Sequence, residues 1–268
     1  MRLILTIVLF GCGQLAMAGT VIRMAAEERL PDRTINTDLV IYVDGDSLRL
    51  DAGESSQGDE GSLIYRSDSQ ELIAIDHTTR EYVVLDRGSI MAMADQVSSA
   101  LREAEMALEQ LPPEQQEFAR QMLRQQFGEV TEAPAPRDFR KGAGEESVAG
   151  LSCETYDILE QGARSRELCV ADWSQVTGGD DIRPVIESMA GFFEDMRSAF
   201  SRDGFDLMGP RSDVFSHMRD IEGFPVRSAD FDDTGGVTNE MRFKSSEIRD
   251  IDASLMRPPA GYREQVIR

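Results

Sequence analysis

Residues 34–50, TINTDLVIYVDGDSLRL, decide the fold class of this chain. Apolar and polar residues alternate here, and the apolar face carries Ile35, Leu39, Ile41 and Val43. This period of two predicts a β-strand with one buried face and one face in water. Asp44-Gly45 follows, a strong signal for a tight hairpin turn, and the alternation resumes at Leu48 and Leu50. The stretch therefore predicts an antiparallel β-hairpin.

Further strands are predicted on the C-terminal side of this hairpin. Residues 51–61 are rich in Gly, Ser and acidic residues and predict a loop. Short runs typical of strands follow at residues 63–65, 72–75, 82–85, 148–159, 166–173, 224–231 and 237–243. Because consecutive strands that are joined by short turns pair with each other, we expect an antiparallel meander.

Residues 89–111 change to the period of a helix. Their apolar side chains recur at steps of three and four, with Ser89 as the expected N-cap. Pro112-Pro113 ends this helix, and a second helix is expected over residues 114–127. The pair makes a helical hairpin insert over residues 89–128.

A third helix is expected over residues 181–202. Asp180 or Asp181 is the expected cap, and Pro184 fits the first turn. This helix belongs to a longer helical insert, residues 181–223, which precedes the last strands.

The N-terminus has the pattern of a secretory signal peptide. Arg2 is followed by an apolar run and then by Ala16-Met17-Ala18, a cleavage site of small residues. The prediction is a signal peptide of residues 1–18, cleaved between Ala18 and Gly19, and a single periplasmic domain of residues 19–268. The alternative is a lipoprotein: Leu9-Phe10-Gly11-Cys12 resembles a lipobox, and lipidation of Cys12 would anchor the protein to a membrane.

Cleavage after Ala18 would leave two cysteines, Cys153 and Cys169. In an oxidising compartment two cysteines most simply form one disulfide. They are symmetric about Gln161-Gly162, so a hairpin that turns there would place them opposite each other on neighbouring strands. The closed loop of about 15 residues is worth about 3 kcal/mol in the chain-entropy model. A redox role is the alternative, but redox cysteines usually lie close together at a helix N-terminus.

Charge excludes several classes of partner. The formal net charge is −21, from 49 acidic and 28 basic residues. Such a chain is repelled by phosphate backbones and by anionic membrane surfaces, which argues against a nucleic-acid partner. The acidity is equally typical of a protein adapted to salt. No apolar run after the N-terminal segment is long enough to span a bilayer, so the mature chain is expected to have no transmembrane span.

The sequence offers no catalytic, cofactor or metal site. It contains neither G-x-S-x-G nor H-E-x-x-H, and its two histidines, His77 and His217, are expected to be solvated. Asp233-Thr234-Gly235 resembles half of an aspartic-protease site but lacks a second copy, and a polar turn explains it. Asp44-Gly45-Asp46 fails as a calcium loop because Arg49 stands where a glycine is required. We therefore expect a protein that is not an enzyme.

Methionine and phenylalanine are concentrated in the predicted helices. They can fill an ordinary core between helices and sheet. They can also line a lipid-sized cavity, because methionine adapts to varied apolar shapes. The candidate lining residues for an apolar ligand are Val97, Leu101, Met122, Met189, Phe193 and Met196.

Several stretches resemble a bacterial envelope family of unknown function, which is similar in fold to the periplasmic lipoprotein carriers and localisation factors. These stretches are VDGDSLRLDAG (43–53), LIYRSDSQELIAIDHTTREYVVLD (63–86), VAGLSCETYDI (148–158), ELCVADW (167–173), FPVRSADF (224–231) and RPPAGYREQ (257–265). The resemblance implies a half-open barrel with helices on its concave face, a lipid or acyl ligand and no catalytic residues. The segment 181–223 is longer than the connection usual in that family.

The sequence thus predicts an α+β fold, with a curved antiparallel sheet of about ten strands and about three helices packed on its concave face. The expected function is that of an exported, non-enzymatic envelope protein that binds or carries a lipid or acyl chain. The alternative is a structural or interaction protein with a filled core, whose partner is another envelope protein.

Overall fold

The computed structural model of the chain describes residues 18–53, 61–112, 115–118, 137–200 and 221–266. The first half contains β1 (Ala18–Arg29), β2 (Thr34–Asp44), β3 (Ser47–Ala52), β4 (Gly61–Arg66), β5 (Glu71–Asp76), β6 (Glu81–Leu85) and α1 (Arg87–Glu109). The second half contains β7 (Arg137–Val148), β8 (Leu151–Glu160), β9 (Ala163–Ala171), α2 (Gly179–Phe200), β10 (Phe224–Phe231), β11 (Val237–Asp250) and β12 (Arg263–Glu264). Short 3₁₀ turns lie at Trp173–Gln175 and Ala253–Met256.

The twelve strands of the described residues form one curved, unclosed sheet, in the order β12-β6-β5-β4-β3-β2-β1-β11-β10-β9-β8-β7. As expected for a meander, consecutive strands pair antiparallel from β1 to β6 and again from β7 to β11, and β12 joins β6 in parallel. The two halves of the sheet meet where β1 pairs with β11. The predicted α+β class with a curved antiparallel sheet is confirmed.

Two long helices cover one face of this sheet. The main core joins buried residues of α1, such as Ile90, and of α2, such as Ile182 and Ile186, to side chains from both halves of the sheet. The second helix of the predicted hairpin is described only at residues 115–118, which are helical; its remaining residues lie outside the described part of the chain. No described helix combines the length and the hydropathy needed to cross a bilayer.

The hairpin predicted at Asp44-Gly45 is present. Asp44 pairs with Ser47, and Gly45 occupies the turn with a φ of 56°, a left-handed conformation that glycine adopts at no steric cost. Ile35 and Val43 are buried, and Leu39 and Ile41 are packed against the core, so the predicted apolar face of β2 is the inner one.

The helix caps differ from the prediction. The N-cap of α1 is Asp86, and Ser89 lies at the N3 position of a capping box. Asp86 accepts from the Ser89 N–H at 2.6 Å, and Ser89 Oγ accepts from the Asp86 N–H at 2.9 Å. Similarly, α2 begins at Gly179, so that Asp180 and Asp181 lie in its first turn and not at the cap. Carboxylates there still favour the helix, because its N-terminus carries partial positive charge.

Candidate functional site

An apolar cavity lies between α2 and the inner face of the sheet. Helix α2 contributes Ile186, Met189 and Phe193, which are spaced at three and four residues and therefore share one face. The strands contribute alternate residues, which share a face by the period of two. The remaining wall is formed by Met24, Leu39, Ile41, Leu48, Leu50, Leu63, Tyr65, Leu72, Phe224, Pro225 and Met241.

The cavity has a volume of about 90 Å³. An engineered cavity of about 150 Å³ holds benzene, and pockets for drug-sized ligands are about 300–1,000 Å³. By itself, the cavity is therefore too small for a lipid chain.

A groove of about 600 Å³ adjoins the cavity and opens to solvent. The two share Leu50 and Leu63 in their walls. The groove floor follows one register row of the sheet, in which Leu50 pairs with Leu63, Leu63 with Ala74, and Ala74 with Val83. Because paired residues in a sheet point to the same face, this row is a continuous apolar track that leads from solvent to the cavity.

The outer end of the groove is polar. It is lined by Asp76, Thr79, Glu81 and Gln265. Hydrogen bonds from the Thr79 and Thr78 backbone, with the Thr79 side chain, lower the pKa of Asp76, so its carboxylate stays charged at neutral pH. Glu81 accepts from Arg263 Nη2 at 2.8 Å and from the side chain of Gln265. The track is thus apolar within and hydrophilic at its mouth.

Tyr65 is the one side chain of the cavity wall with a polar group. Its hydroxyl forms a hydrogen bond of 2.8 Å with Ser188 Oγ of α2. Its ring lies 5.6 Å from the ring of Phe192. Burial raises the pKa of Tyr65, and the hydrogen bond to Ser188 offsets only part of that rise. Tyr65 therefore ties α2 to the sheet beside the cavity.

The candidate lining residues from the sequence fall in different places. Met189 and Phe193 line the cavity. Met196 is buried nearer α1, where it lines a separate cleft with Ile90 and Met91. Val97 is half-buried on α1. The side chain of Leu101 and the whole of Met122 lie outside the described part, so their role stays a prediction.

Sequence reasoning placed the ligand site on the helices and missed the sheet. Most of the wall comes from strands, and Leu39, Ile41 and Leu50 belong to the alternating stretch that predicts the first hairpin. The alternating apolar residues of that hairpin therefore already indicated part of the cavity wall. The groove over Ala74 and Val83 depends on the pairing of four strands, which the pattern of one strand does not reveal.

Cys153 and Cys169 form a disulfide, with their Cα atoms 5.3 Å apart. They are diagonal neighbours and not opposite residues: Cys153 pairs with Ala171, and Cys169 with Thr155. The turn pairs Glu160 with Ala163, a register that already excludes a direct Cys153–Cys169 pair. A β-bulge then shifts the pairing by one further residue, because Ile158 pairs with Arg166 and Leu159 with Arg164, which leaves Ser165 as an extra residue. Both cysteines are buried in the main core.

His77 lies in a turn, as predicted, but its side chain is only half-exposed and both of its ring nitrogens have hydrogen-bond partners. Its Nε2 lies 2.7 Å from Ser62 Oγ and its Nδ1 lies 2.9 Å from the Tyr262 hydroxyl. Ser62 Oγ also donates to Asp51 and accepts from Arg49, at 2.6 and 2.9 Å. With its only hydrogen given to Asp51, Ser62 accepts a hydrogen bond from His77 Nε2.

This network has a structural role. Arg49 Nη1 donates to the Leu255 carbonyl at 2.8 Å, and Tyr262 packs with Ile64, Ile73 and Ile75. The network thus attaches the C-terminal segment to the sheet. Ser62 is a buried side chain, and the network uses all of its hydrogen-bonding positions.

The two remaining candidate motifs from the sequence are Asp233-Thr234-Gly235, which forms a turn, and His217. Asp232 Oδ1 accepts from the backbone of Thr234 and Gly236 at 2.8 Å, so the segment 232–236 is a capped turn. His217 lies outside the described residues. Within the described part of the chain, no group of three or more His, Cys, Asp or Glu side chains is placed to hold a metal ion.

No family model and no curated protein matches the chain. Among solved structures, an uncharacterized conserved protein from Thermus thermophilus is similar over 94% of this chain and 91% of that chain, at 9% identity and a TM-score of 0.45. The MucA/MucB complex of Pseudomonas aeruginosa is similar over 94% of this chain and 59% of that chain, at 11% identity and a TM-score of 0.36.

A LolA superfamily protein from Nitrosomonas europaea is similar over 90% of both chains, at 7% identity and a TM-score of 0.29. The solved structures that resemble this chain thus include a LolA superfamily protein. With TM-scores below 0.5 and identities below 25%, these likenesses assign no family to this chain.

Proposed function

We propose that this protein is a non-enzymatic binding protein of the bacterial envelope that holds the acyl chain of a lipid along the inner face of its sheet. The observation that carries the proposal is the continuity of the groove and the cavity through Leu50 and Leu63. Export by cleavage after Ala18 belongs to the same proposal, because it would expose the protein to membrane lipids.

The dimensions and the chemistry of the track support an acyl chain. The groove and the cavity together fall within the size range of ligand pockets. Each methylene removed from water contributes about 0.8 kcal/mol, so a chain of several methylenes gains enough to bind without a charged anchor. The apolar track suits the chain, and the hydrophilic mouth suits a solvated headgroup.

Entry into the cavity requires α2 to move away from the sheet. Met189 and Phe193 of α2 form one wall of the cavity, and a methionine side chain can change its shape at little cost. We expect the groove to take a chain in the present conformation and the cavity to take its end once α2 moves.

A second function is supported by the small size of the cavity. Only about 90 Å³ of free volume remains between α2 and the inner face of the sheet. Such a nearly filled core is expected for an interaction protein that binds no small ligand. The two functions differ in one observable, which is the binding of an acyl probe to the groove.

The decisive experiment is titration of the mature chain with parinaric acid, a fluorescent acyl chain. Ala74→Trp places a large ring on the groove floor and should weaken binding at least tenfold. Ala163→Trp makes the same change on an exposed turn-proximal residue of β9 and should leave binding unchanged. Saturable binding that only Ala74→Trp weakens supports the proposal.

Absence of binding by the parent chain would contradict it. Native mass spectrometry of protein purified from its own envelope gives an independent readout. Repeated absence of any bound lipid, together with absence of probe binding, would favour the interaction protein.

A further inference from the structure

One edge of the sheet is formed by β7. This strand has twelve residues and pairs with β8 along one side. In the described part of the chain no strand pairs with its other side. A long edge strand presents a row of backbone N–H and C=O groups that can bind another strand.

The charges along β7 change sign at its centre. Arg140-Lys141 precedes Gly142-Ala143-Gly144, and Glu145-Glu146 follows. If two copies of β7 pair antiparallel with Ala143 at the two-fold axis, Arg140 lies opposite Glu146 of the second copy. Lys141 then lies opposite Glu145 of the second copy, and symmetry repeats both pairs. The sequence is thus complementary to itself in this register.

We propose that β7 is a homodimerisation edge, at which a second copy of this chain adds its own β7 to extend the sheet. Charges on an edge strand normally prevent pairing, because a foreign strand leaves them unmatched or repelled. Here one antiparallel register matches the four charges that flank the centre of the strand, those of Arg140, Lys141, Glu145 and Glu146. A shift by one residue leaves half of these charges opposite neutral residues, and parallel pairing places like charges opposite each other. The same charges therefore permit the pair and exclude other strands.

The charged groups are available for such a pair. Arg140 and Glu145 are exposed, and neither forms an ion pair with another described residue. Lys141 donates to Glu154 at 2.7 Å, but both side chains are about half exposed, so this bond contributes little. Glu146 reaches Arg227 only at 3.4 Å, while Glu167 and Glu240 hold that guanidinium at 2.7 Å.

The centre of the strand consists of small residues. Gly142 and Gly144 flank Ala143, and the regular pairing with β8 is interrupted between Lys141 and Glu145. A contact of two strands buries less than the roughly 1,600 Å² of a standard interface, so we expect a reversible dimer that depends on concentration. This inference is independent of the acyl-chain site, because no residue of β7 lines the groove or the cavity.

Sedimentation equilibrium of the full mature chain at 0.15 M NaCl tests the register directly. Lys141→Glu places a carboxylate opposite Glu145, and Glu145→Arg places a guanidinium opposite Lys141, so each variant alone should weaken dimerisation about tenfold or more. An equimolar mixture of the two should form a heterodimer, because the two introduced side chains have opposite charge and face each other while the native pair remains. Its affinity should return to within about threefold of the parent dimer.

Lys244→Glu is the matched control, because it makes the same change of charge on an exposed residue of β11. It should dimerise like the parent chain, and thermal unfolding of every variant should show an intact fold. A parent chain that remains monomeric at millimolar concentration would overturn the proposal. So would single variants that dimerise as well as the parent, or a mixture that stays monomeric.

Discussion

One extra residue in β9, Ser165, sets the register of the cysteine hairpin. Near the turn, Glu160 pairs with Ala163, and this register alone would pair Cys153 with Val170 and send the Cys169 side chain to the opposite face. The bulge at Ser165 shifts the pairing by one residue and returns both cysteines to one face. The disulfide therefore depends on a residue that forms no part of it.

Deletion of Ser165 should prevent the disulfide. Without the bulge the two thiols lie on opposite faces of the hairpin, so both should be alkylated without prior reduction and give two mass additions. Ser165→Ala is the control: it removes the hydroxyl that donates to the Ile158 carbonyl at 3.2 Å but keeps the residue count, so its thiols should resist alkylation. A disulfide that forms efficiently in the deletion variant would contradict this account of the register.

Tyr65 should make the protein less stable at alkaline pH. Burial raises the pKa of its phenol above the unfolded value of about 10, so the unfolded chain releases this proton first. The contribution is constant below about pH 10, and the free energy of unfolding falls as pH rises beyond that value. Urea unfolding at pH 8 and pH 10.5 should show a smaller fall in Tyr65→Phe than in the parent chain.

Ser188→Ala separates the two properties of Tyr65. Both variants lose the same hydrogen bond, which should cost about 1 kcal/mol at pH 8. Only Tyr65→Phe also loses the titrating phenol, so Ser188→Ala should keep the alkaline fall. Tyr82 and Tyr156 also have raised pKa values and explain any fall that remains in Tyr65→Phe. Equal alkaline slopes in the two variants would refute a role for Tyr65.

At the scale of elements, the start of α1 depends on its capping box. Asp86→Ala removes the carboxylate that accepts from the Ser89 N–H and should lower the free energy of unfolding by about 1 kcal/mol. The hydrogen bond from the Ser89 N–H also lowers the pKa of Asp86, so the parent chain should lose this contribution as pH falls below about 4. Asp95→Ala, on an exposed position within α1, should be neutral or slightly stabilising, because alanine favours a helix. A loss in Asp95→Ala equal to that in Asp86→Ala would argue against a capping role.

The elements that the sequence predicted are those whose pattern is local. The strands β2 to β6 alternate clearly, and α1 and α2 carry an apolar stripe. Three strands were missed for physical reasons. Residues 25–28 of β1, AAEE, favour a helix, and their strand conformation depends on β11, which lies more than two hundred residues away in the chain. The strand β7 is charged and rich in glycine, and β12 consists of two residues held by β6.

The same distinction explains the candidate site. Met189 and Phe193 belong to a helical stripe, so their position at the cavity could be predicted from periodicity. The groove arises from the lateral order of β3 to β6, and His77 acquires its partners through Tyr262, far along the chain. Interactions of this kind are properties of the assembled sheet and have no local signature in the sequence.

At the scale of the whole molecule, charge is the dominant feature. The chain carries 49 acidic and 28 basic residues. Even if every Lys and Arg formed an ion pair with a carboxylate, 21 carboxylates would remain unpaired, which gives the net charge of −21. The described ion pairs are mostly exposed and contribute little each, as with Arg29–Glu27 and Lys244–Asp38. Repulsion among the unmatched carboxylates should therefore outweigh the attraction of the surface pairs, and it opposes the compact state.

Salt should consequently stabilise the folded protein at pH 7. Between 10 and 150 mM NaCl the screening length falls from about 30 Å to about 8 Å, which removes most of the long-range repulsion and little of the short-range pairing. We expect Tm, measured by scanning calorimetry, to rise over this range and then to level off. KCl should act like NaCl, because screening depends on ionic strength. At pH 4.5, the isoelectric point calculated from the sequence, the net charge is near zero, so Tm should no longer rise with salt. A Tm that falls with salt at pH 7 would instead make ion pairs such as those of Arg227 with Glu167 and Glu240 the dominant electrostatic contribution to the fold.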